Sequence, residues 1–153
     1  MSGAPAGLHV RAVGALDGRA LRMSVLRPRQ QPGEPMYARE GDPGTAHYAV
    51  QDPGGAVLAV GSVMEEGHPH APHPGDWRVR GMATAPELRG RGLGKLVLAA
   101  LEAHARERGG RRMWCNARTG ARGFYELQGW RPEGEEYEIE GIGPHFLMTK
   151  PLG

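Results

Sequence analysis

Between residues 76 and 107 a strand-like run, a glycine-rich turn and an amphipathic helix follow one another directly. No other stretch restricts the fold as much. Asp76–Thr84 (DWRVRGMAT) has strand composition, and Ala85-Pro86-Glu87 breaks it. Arg89-Gly90-Arg91-Gly92-Leu93-Gly94-Lys95 forms the turn, and beyond it Leu93, Leu96, Val97, Ala100, Leu101 and His104 recur at the spacing of one buried helical face. Gly109-Gly110 marks the helix end. A P-loop is excluded, because Arg89 stands where its first Gly is needed and Leu96 replaces the metal-binding Ser/Thr. A dinucleotide fingerprint is excluded by the GxGxG spacing and by the missing acidic residue after a following strand. A purely structural connection would fit the same residues. The physical argument nevertheless favours an anion site. Gly90, Gly92 and Gly94 leave backbone N–H groups unobstructed at the positive end of a helix, and Arg89, Arg91 and Lys95 add three cations.

The rest of the chain supplies a sheet for this unit. His9–Val13 reads as a short strand. Asp17 is placed to cap a helix carrying Leu21, Val25 and Leu26, which Pro28 stops. Gln30–Gly44 and Glu65–Gly75 are Pro- and Gly-rich loops. Thr45–Gln51 and Ala56–Met64 flank Asp52-Pro53-Gly54-Gly55, a hairpin signal. Arg111–Ala117 reads as a strand and Thr119–Gln128 as a short helix closed by Gly129. Glu135–Glu140 and His145–Lys150 read as final strands. This order predicts an α+β fold with a central sheet rather than a doubly wound one. Gly and Pro make up 38 residues (25 plus 13), a quarter of the chain, which alone would suggest disorder. The 39% apolar content and the alternation of apolar segments with turns argue for a packed domain over residues 8–153, behind a loose tail of residues 1–7.

Three segments carry a resemblance. Thr84–Gly94 is similar to the loop of the GNAT superfamily of acyl-CoA-dependent N-acyltransferases, Arg/Gln-x-x-Gly-x-Gly/Ala, matched by Arg89, Gly92 and Gly94. Phe124-Tyr125-Glu126-Leu127-Gln128-Gly129-Trp130 resembles that family's F-Y-x-x-x-G-F/W segment. Gly141–Met148 resembles the GIPH-x-x-M ending of one bacterial branch, with one extra Gly between Ile142 and Pro144. The resemblance covers roughly residues 76 to 150. It implies a GNAT fold: a single domain with a mixed, mostly antiparallel sheet flanked by helices and splayed at the strand before the glycine loop.

It further implies acetyl-CoA as acyl donor. The pantetheine arm would pair with the main chain of Met82, Ala83 and Thr84, and the pyrophosphate would sit on Arg89, Gly90, Arg91, Gly92, Leu93, Gly94 and Lys95. Tyr125 matches the tyrosine that protonates the departing thiolate, and a backbone N–H near Met82–Thr84 would hold the oxyanion. Asn116 ends a strand near the expected cofactor, although the family's commoner Asn lies where this chain has Arg118. The implied reaction is direct attack by a primary amine of a small molecule or peptide in a ternary complex. A non-catalytic CoA-binding sensor of the same fold is the alternative. Homodimerisation is left open.

Other chemistries are disfavoured by composition. Charge nearly cancels, with 19 Lys+Arg against 17 Asp+Glu, and aromatic content is 6%, without the interleaved stripe of a nucleic-acid binder. Cys115, the single Cys, excludes an intrachain disulfide, and a lone Cys in a strand reads as a buried residue rather than an acyl carrier. His68, His70 and His73 lie in a Pro-interrupted loop without a carboxylate at ligand spacing, so no metal is expected. The general base is not legible; Glu65, Glu66 and His145 are its candidates. No apolar run is long enough for a bilayer, no signal-peptide pattern opens the chain, and a cytoplasmic location without membrane partners is the expectation.

Overall fold

Among the described residues, seven strands form one sheet, neighbours following chain order except that the last strand lies between the fifth and the sixth. The computed structural model describes residues 7–26 and 39–153. The expectations for residues 1–6, for the helix stop at Pro28 and for residues 30–38 of the first loop therefore lie outside the described residues. The strands are β1 (His9–Val13), β2 (Ala46–Gln51), β3 (Val57–Glu65), β4 (Asp76–Thr84), β5 (Arg112–Arg118), β6 (Arg131–Ile139) and β7 (Gly143–Pro151). The helices are α1 (Arg19–Leu26), α2 (Leu93–Glu107) and α3 (Arg122–Leu127), with single 3-10 turns at Pro86–Leu88 and Thr119–Ala121. β4 and β5 pair in parallel and every other neighbouring pair is antiparallel, so the sheet is mixed and mostly antiparallel, as the family resemblance implies.

Each helix owes its place to the face it buries. Leu21 and Val25 of α1 pack on Ala49, Val60 and Ala83 on one side of the sheet. Leu93, Val97, Leu98, Leu101 and Ala105 of α2 pack on the other side, with Val50, Val63, Val79 and Met113. The buried face of α2 is turned from the expected stripe: Leu98, Glu102 and Ala105 are buried, while Leu96, Ala100 and His104 are half-buried. The Glu102 carboxylate accepts hydrogen bonds from Trp130 Nε1 (3.2 Å) and Lys150 Nζ (2.8 Å), which ties α2 to β7 and the end of α3. Asp17 does not cap α1: its carboxylate accepts the Gly14 N–H at 2.6 Å, and the helix opens on the Gly18 carbonyl, bonded to the Arg22 N–H. Gly18 lies so close to Val60 that a side chain there would not fit. β6 starts at Arg131 rather than Glu135, because an irregularity between Glu133 and Tyr137 lets the strand continue past Gly134.

At the start of β4, Asp76 is a structural knot. Its carboxylate accepts the amides of His68 (3.0 Å) and His73 (2.8 Å) and both Nε and Nη2 of Arg112 at 2.8 Å. Burial works against its charge, but Arg112 and the two amides outweigh burial and hold its pKa well below the usual carboxylate range. A depressed folded pKa gives stability that is fully present above the unfolded value, about 4, and is lost as pH falls through the folded value. Asp76→Asn is therefore expected to cost about 3 kcal/mol near neutrality, with the gap to wild type narrowing below about pH 4. Urea unfolding at several pH values reads this directly, and a pH-independent gap would assign Asp76 a purely steric role.

Candidate active site

The site exists because two neighbouring strands part. β4 and β5 are paired only at Asp76–Arg112, Trp77–Met113 and Arg78–Trp114. Beyond Arg78, β4 keeps only β3 and β5 keeps only β7. A bulge helps to turn β4 aside: the register with β3 shifts between Val60 and Ser62, so that Gly81 and Met82 stand opposite Gly61. Gly81 has φ +64, a conformation that L side chains rarely adopt.

A buried arginine fixes this bulge. Arg22 of α1 is fully buried and donates from Nε to the Gly81 carbonyl at 2.9 Å. Its Nη2 donates to Ser62 Oγ, and its Nη1 lies 3.6 Å from Glu40. Glu40 also pairs with Arg19 at 2.5 Å. His47 bridges the Ser62 hydroxyl (2.6 Å, at Nδ1) and the Glu40 carbonyl (2.8 Å, at Nε2). Burial, together with the charge of Arg22, lowers its pKa and favours the neutral ring, although the Glu40 carbonyl pulls the other way. In a trans peptide the C=O and the following N–H point in opposite directions. Holding the Gly81 carbonyl toward α1 therefore turns the Met82 N–H away from it.

The parted strands and the glycine loop enclose one cavity of about 860 Å³. Arg89, Gly90, Gly92, Leu93, Gly94 and Lys95 line one end, Met82, Ala83 and Thr84 line a wall, and Tyr125 and Asn116 line it as well. Every expected site residue except Arg91 is thus brought together; Arg91 is exposed and does not line the cavity. Gly90 (φ +82) and Gly92 (φ +80) are both left-handed, and a Cβ built on either meets no atom within 4 Å, so the space beside them is open for a ligand. No side chain caps α2, and its first ladder bond runs from Leu96 N–H to the Gly92 carbonyl. The amides of Leu93, Gly94 and Lys95 therefore have no intrahelical acceptor. A pyrophosphate suits these donors and the Arg89 and Lys95 cations.

Tyr125 is packed in the core and also borders the cavity. Its ring is packed edge-on between Phe124 (5.1 Å) and Trp130 (5.2 Å). Burial, reinforced by Cys115, raises its pKa well above 10, so the phenol keeps its proton. Its hydroxyl is hydrogen-bonded to Cys115, whose thiol is pushed up to about 12 by burial, partly offset by that bond and by Arg78. Such a thiol is no nucleophile at neutral pH, in keeping with its reading as a buried residue. Asn116, one residue on, faces the opposite side of the sheet and accepts the Tyr137 hydroxyl at 2.6 Å.

Sequence reasoning missed the cationic side of the cavity. Arg78, Arg80 and Arg118 also line it, beside His145, one of the candidate bases. The alternation of Trp77 and Val79 with Arg78 and Arg80 in a central strand was the available signal. Of the candidate bases, Glu66 is engaged by Arg78 (2.8 Å) and Arg39 (3.5 Å), and Glu65 lies exposed outside the lining. His145 is buried in the lining, its Nδ1 hydrogen-bonded to the Gly143 carbonyl at 2.7 Å, which leaves Nε2 as the acceptor nitrogen. His68 serves the fold instead. Its Nε2 meets Glu133 at 2.9 Å, and its Nδ1 accepts the amides of His70 and Ala71, both at 3.1 Å. Among the described residues no group of three or more His, Cys, Asp or Glu could hold a metal, and no helix is long and apolar enough to cross a membrane.

Comparison with known proteins agrees with this architecture. Residues 17–130 match the model of the Acetyltransferase (GNAT) family. The chain is 31% identical over 145 residues to the uncharacterized N-acetyltransferase YitI of Bacillus subtilis (strain 168), covering 95% of this chain and 97% of YitI. In structure it is similar to an aminoglycoside 6'-N-acetyltransferase complexed with coenzyme A, with a TM-score of 0.76 at 12% identity over 94% of this chain and 97% of that one. A GCN5-related N-acetyltransferase from Kribbella flavida gives 0.66 at 22% identity, over 97% and 99% of the two chains. With the family model spanning most of the chain and YitI matching nearly end to end, the protein belongs to the GNAT acetyltransferase family and is an acyltransferase.

Proposed function

We propose that the protein transfers an acetyl group from acetyl-CoA to a primary amine by direct attack within a ternary complex. The observation that carries this reading is the single cavity in which the glycine loop, the parted edge of β4 and Tyr125 meet. The loop amides and the cations of Arg89 and Lys95 hold the pyrophosphate. The exposed main chain of Met82, Ala83 and Thr84 hydrogen-bonds the pantetheine arm as an added strand would. The Met82 N–H, turned from α1, donates to the thioester oxygen as charge develops on it. The C–N bond forms as the C–S bond breaks; His145 Nε2 takes the amine proton, and Tyr125 gives its own to the departing sulfur. The products are the N-acetyl amine and free CoA. Residues 8–153 act as one catalytic domain located in the cytoplasm.

Calorimetric titration with acetyl-CoA, dephospho-CoA and ATP tests the reading. Acetyl-CoA is expected to bind best, in the micromolar range typical of enzyme substrates, and no binding by folded protein would remove the reading. Gly92→Val is expected to abolish that binding. A β-branched residue at φ +80 is strained by about 1–2 kcal/mol, and its side chain would occupy the open space beside the loop amides. Retained affinity in the folded variant would show that the loop does not hold the donor.

A further inference from the structure

One polar side chain of the cavity is oriented by the fold yet left with free donors. Asn116 of β5 is half-buried and lines the cavity. Its Oδ1 accepts the Tyr137 hydroxyl at 2.6 Å. Burial raises the pKa of that phenol, which keeps its proton and remains the donor. The hydroxyl thereby selects the oxygen end of the planar amide and turns the nitrogen end away from Tyr137. Nδ2 has no hydrogen-bond partner among the described residues, and it is not sealed from solvent. Two N–H donors on a fixed amide are thus left for a ligand.

The sheet sets these donors beside the candidate base. Arg118 pairs with His145 and Asn116 with Leu147, so Asn116 and His145 are diagonal neighbours on one face. Such neighbours stand about 7–8 Å apart, which one small molecule spans. Cys115 and Tyr125 belong to the core on the other face, with α2. Under the acetyltransferase reading the sulfur leaves toward Tyr125, and the amine approaches from the face of His145. Asn116 is therefore on the acceptor's side. On the same face Ile139, paired with Gly143, lines the cavity, and Ile142 of the following turn lines it too. We propose that Asn116 Nδ2 donates to a carbonyl oxygen of the acceptor, and that the acceptor is an α-amino carbonyl compound with an apolar side chain. The amine faces His145 Nε2, the carbonyl on the neighbouring carbon meets Asn116, and Ile139 and Ile142 contact the side chain. The proposal rests on the acetyltransferase reading above and gives its substrate class. A plain alkylamine displaces water from Nδ2 without replacing its hydrogen bond, which weakens binding. Because Tyr137 holds the amide in one orientation before the ligand arrives, the ordering cost of binding is lowered.

The test is steady-state acetylation of leucinamide and isoamylamine, which share an apolar body and differ in the carboxamide. Glycinamide and leucyl-glycyl-glycine are run beside them. At equal concentrations of neutral amine, leucinamide is expected to have a kcat/KM about tenfold above that of isoamylamine, as one neutral hydrogen bond gives. Glycinamide, without the apolar body, is expected to fall about tenfold below leucinamide. Asn116→Ala is expected to bring the ratio of leucinamide to isoamylamine close to one. Tyr137→Phe, which frees the amide to turn over, is expected to reduce it in part. The wild-type ratios stand even if a variant does not fold. Use of the tripeptide as well as leucinamide would support a chain terminus as the source of the carbonyl, and use of leucinamide alone a free small molecule. Equal use of leucinamide and isoamylamine, glycinamide as good as leucinamide, a ratio unmoved by Asn116→Ala, or no acetylation of any of these amines would overturn the proposal. An Asn116→Ala effect confined to the KM of acetyl-CoA would overturn it too, by assigning Asn116 to the donor. Failure to bind acetyl-CoA would remove the acetyltransferase reading itself, whereas binding without the leucinamide preference removes only this acceptor class.

Discussion

Tyr125→Phe is expected to lower kcat by about a hundredfold while acetyl-CoA still binds. The substitution keeps the ring between Phe124 and Trp130 and removes only the hydroxyl and its hydrogen bond to Cys115. The fold should therefore survive, and a rate loss would report on proton donation to sulfur. Burial, aided by Cys115, raises the pKa of this phenol well above 10, so the donor form persists throughout the neutral range. The wild-type rate should show no decline from loss of the Tyr125 proton below about pH 10. Steady-state release of CoA with a working acceptor measures both. An unchanged kcat would make Tyr125 a packing residue. A protein that binds acetyl-CoA but releases no CoA with any amine would be a sensor of the same fold.

Arg22→Met should have the largest effect on stability, about 3–5 kcal/mol. The guanidinium supplies hydrogen bonds to the Gly81 carbonyl and Ser62 and the ion pair to Glu40, all out of contact with water. Removing it strands acceptors in the interior, which costs more than the bonds themselves contribute. Urea unfolding measures the loss. Glu40→Leu added to Arg22→Met should cost less than the sum of the two single changes, because either change alone already breaks the buried pair they share. Strict additivity would mean that the two residues do not act as a unit. At concentrations where the Arg22→Met protein remains folded, kcat should also fall, since the Gly81 carbonyl would no longer hold the Met82 N–H in position.

The strand, loop and helix of residues 76–107 were legible because local chemistry decides them. A β-rich run ending at Ala85-Pro86, glycines and a 3.6-residue stripe leave little freedom, and β4 begins and ends where its sequence says. The hairpin at Asp52–Gly55 was legible for the same reason. β6 was half hidden, since Pro132, Gly134 and a run of Glu residues argue against a strand until pairing with β7 overrides them. Tyr125 and Asn116, both expected at the site from their sequence positions, line the cavity, and Asn116 also accepts the Tyr137 hydroxyl. Nothing local announced the cluster around Arg22. Its members come from α1, the loop at Glu40 and three strands, and Arg22 meets a carbonyl fifty-nine residues away. Polar residues scattered so widely look like ordinary surface positions until the fold buries them.

Under the proposed function, the early end of the β4–β5 ladder would link folding to metabolism. From Val79 to Thr84 the inner edge of β4 has no strand beside it, although it lies in the middle of the sheet rather than at its rim. Under the proposed function the donor's amide-bearing arm supplies the missing row of hydrogen bonds and acts as a detachable eighth strand. A ligand that binds only the folded chain raises its stability by about 2.7 kcal/mol at a hundred times its dissociation constant. The lifetime of the protein in the cell would then follow the supply of acetyl-CoA, falling when carbon is scarce and the acyl pool drains.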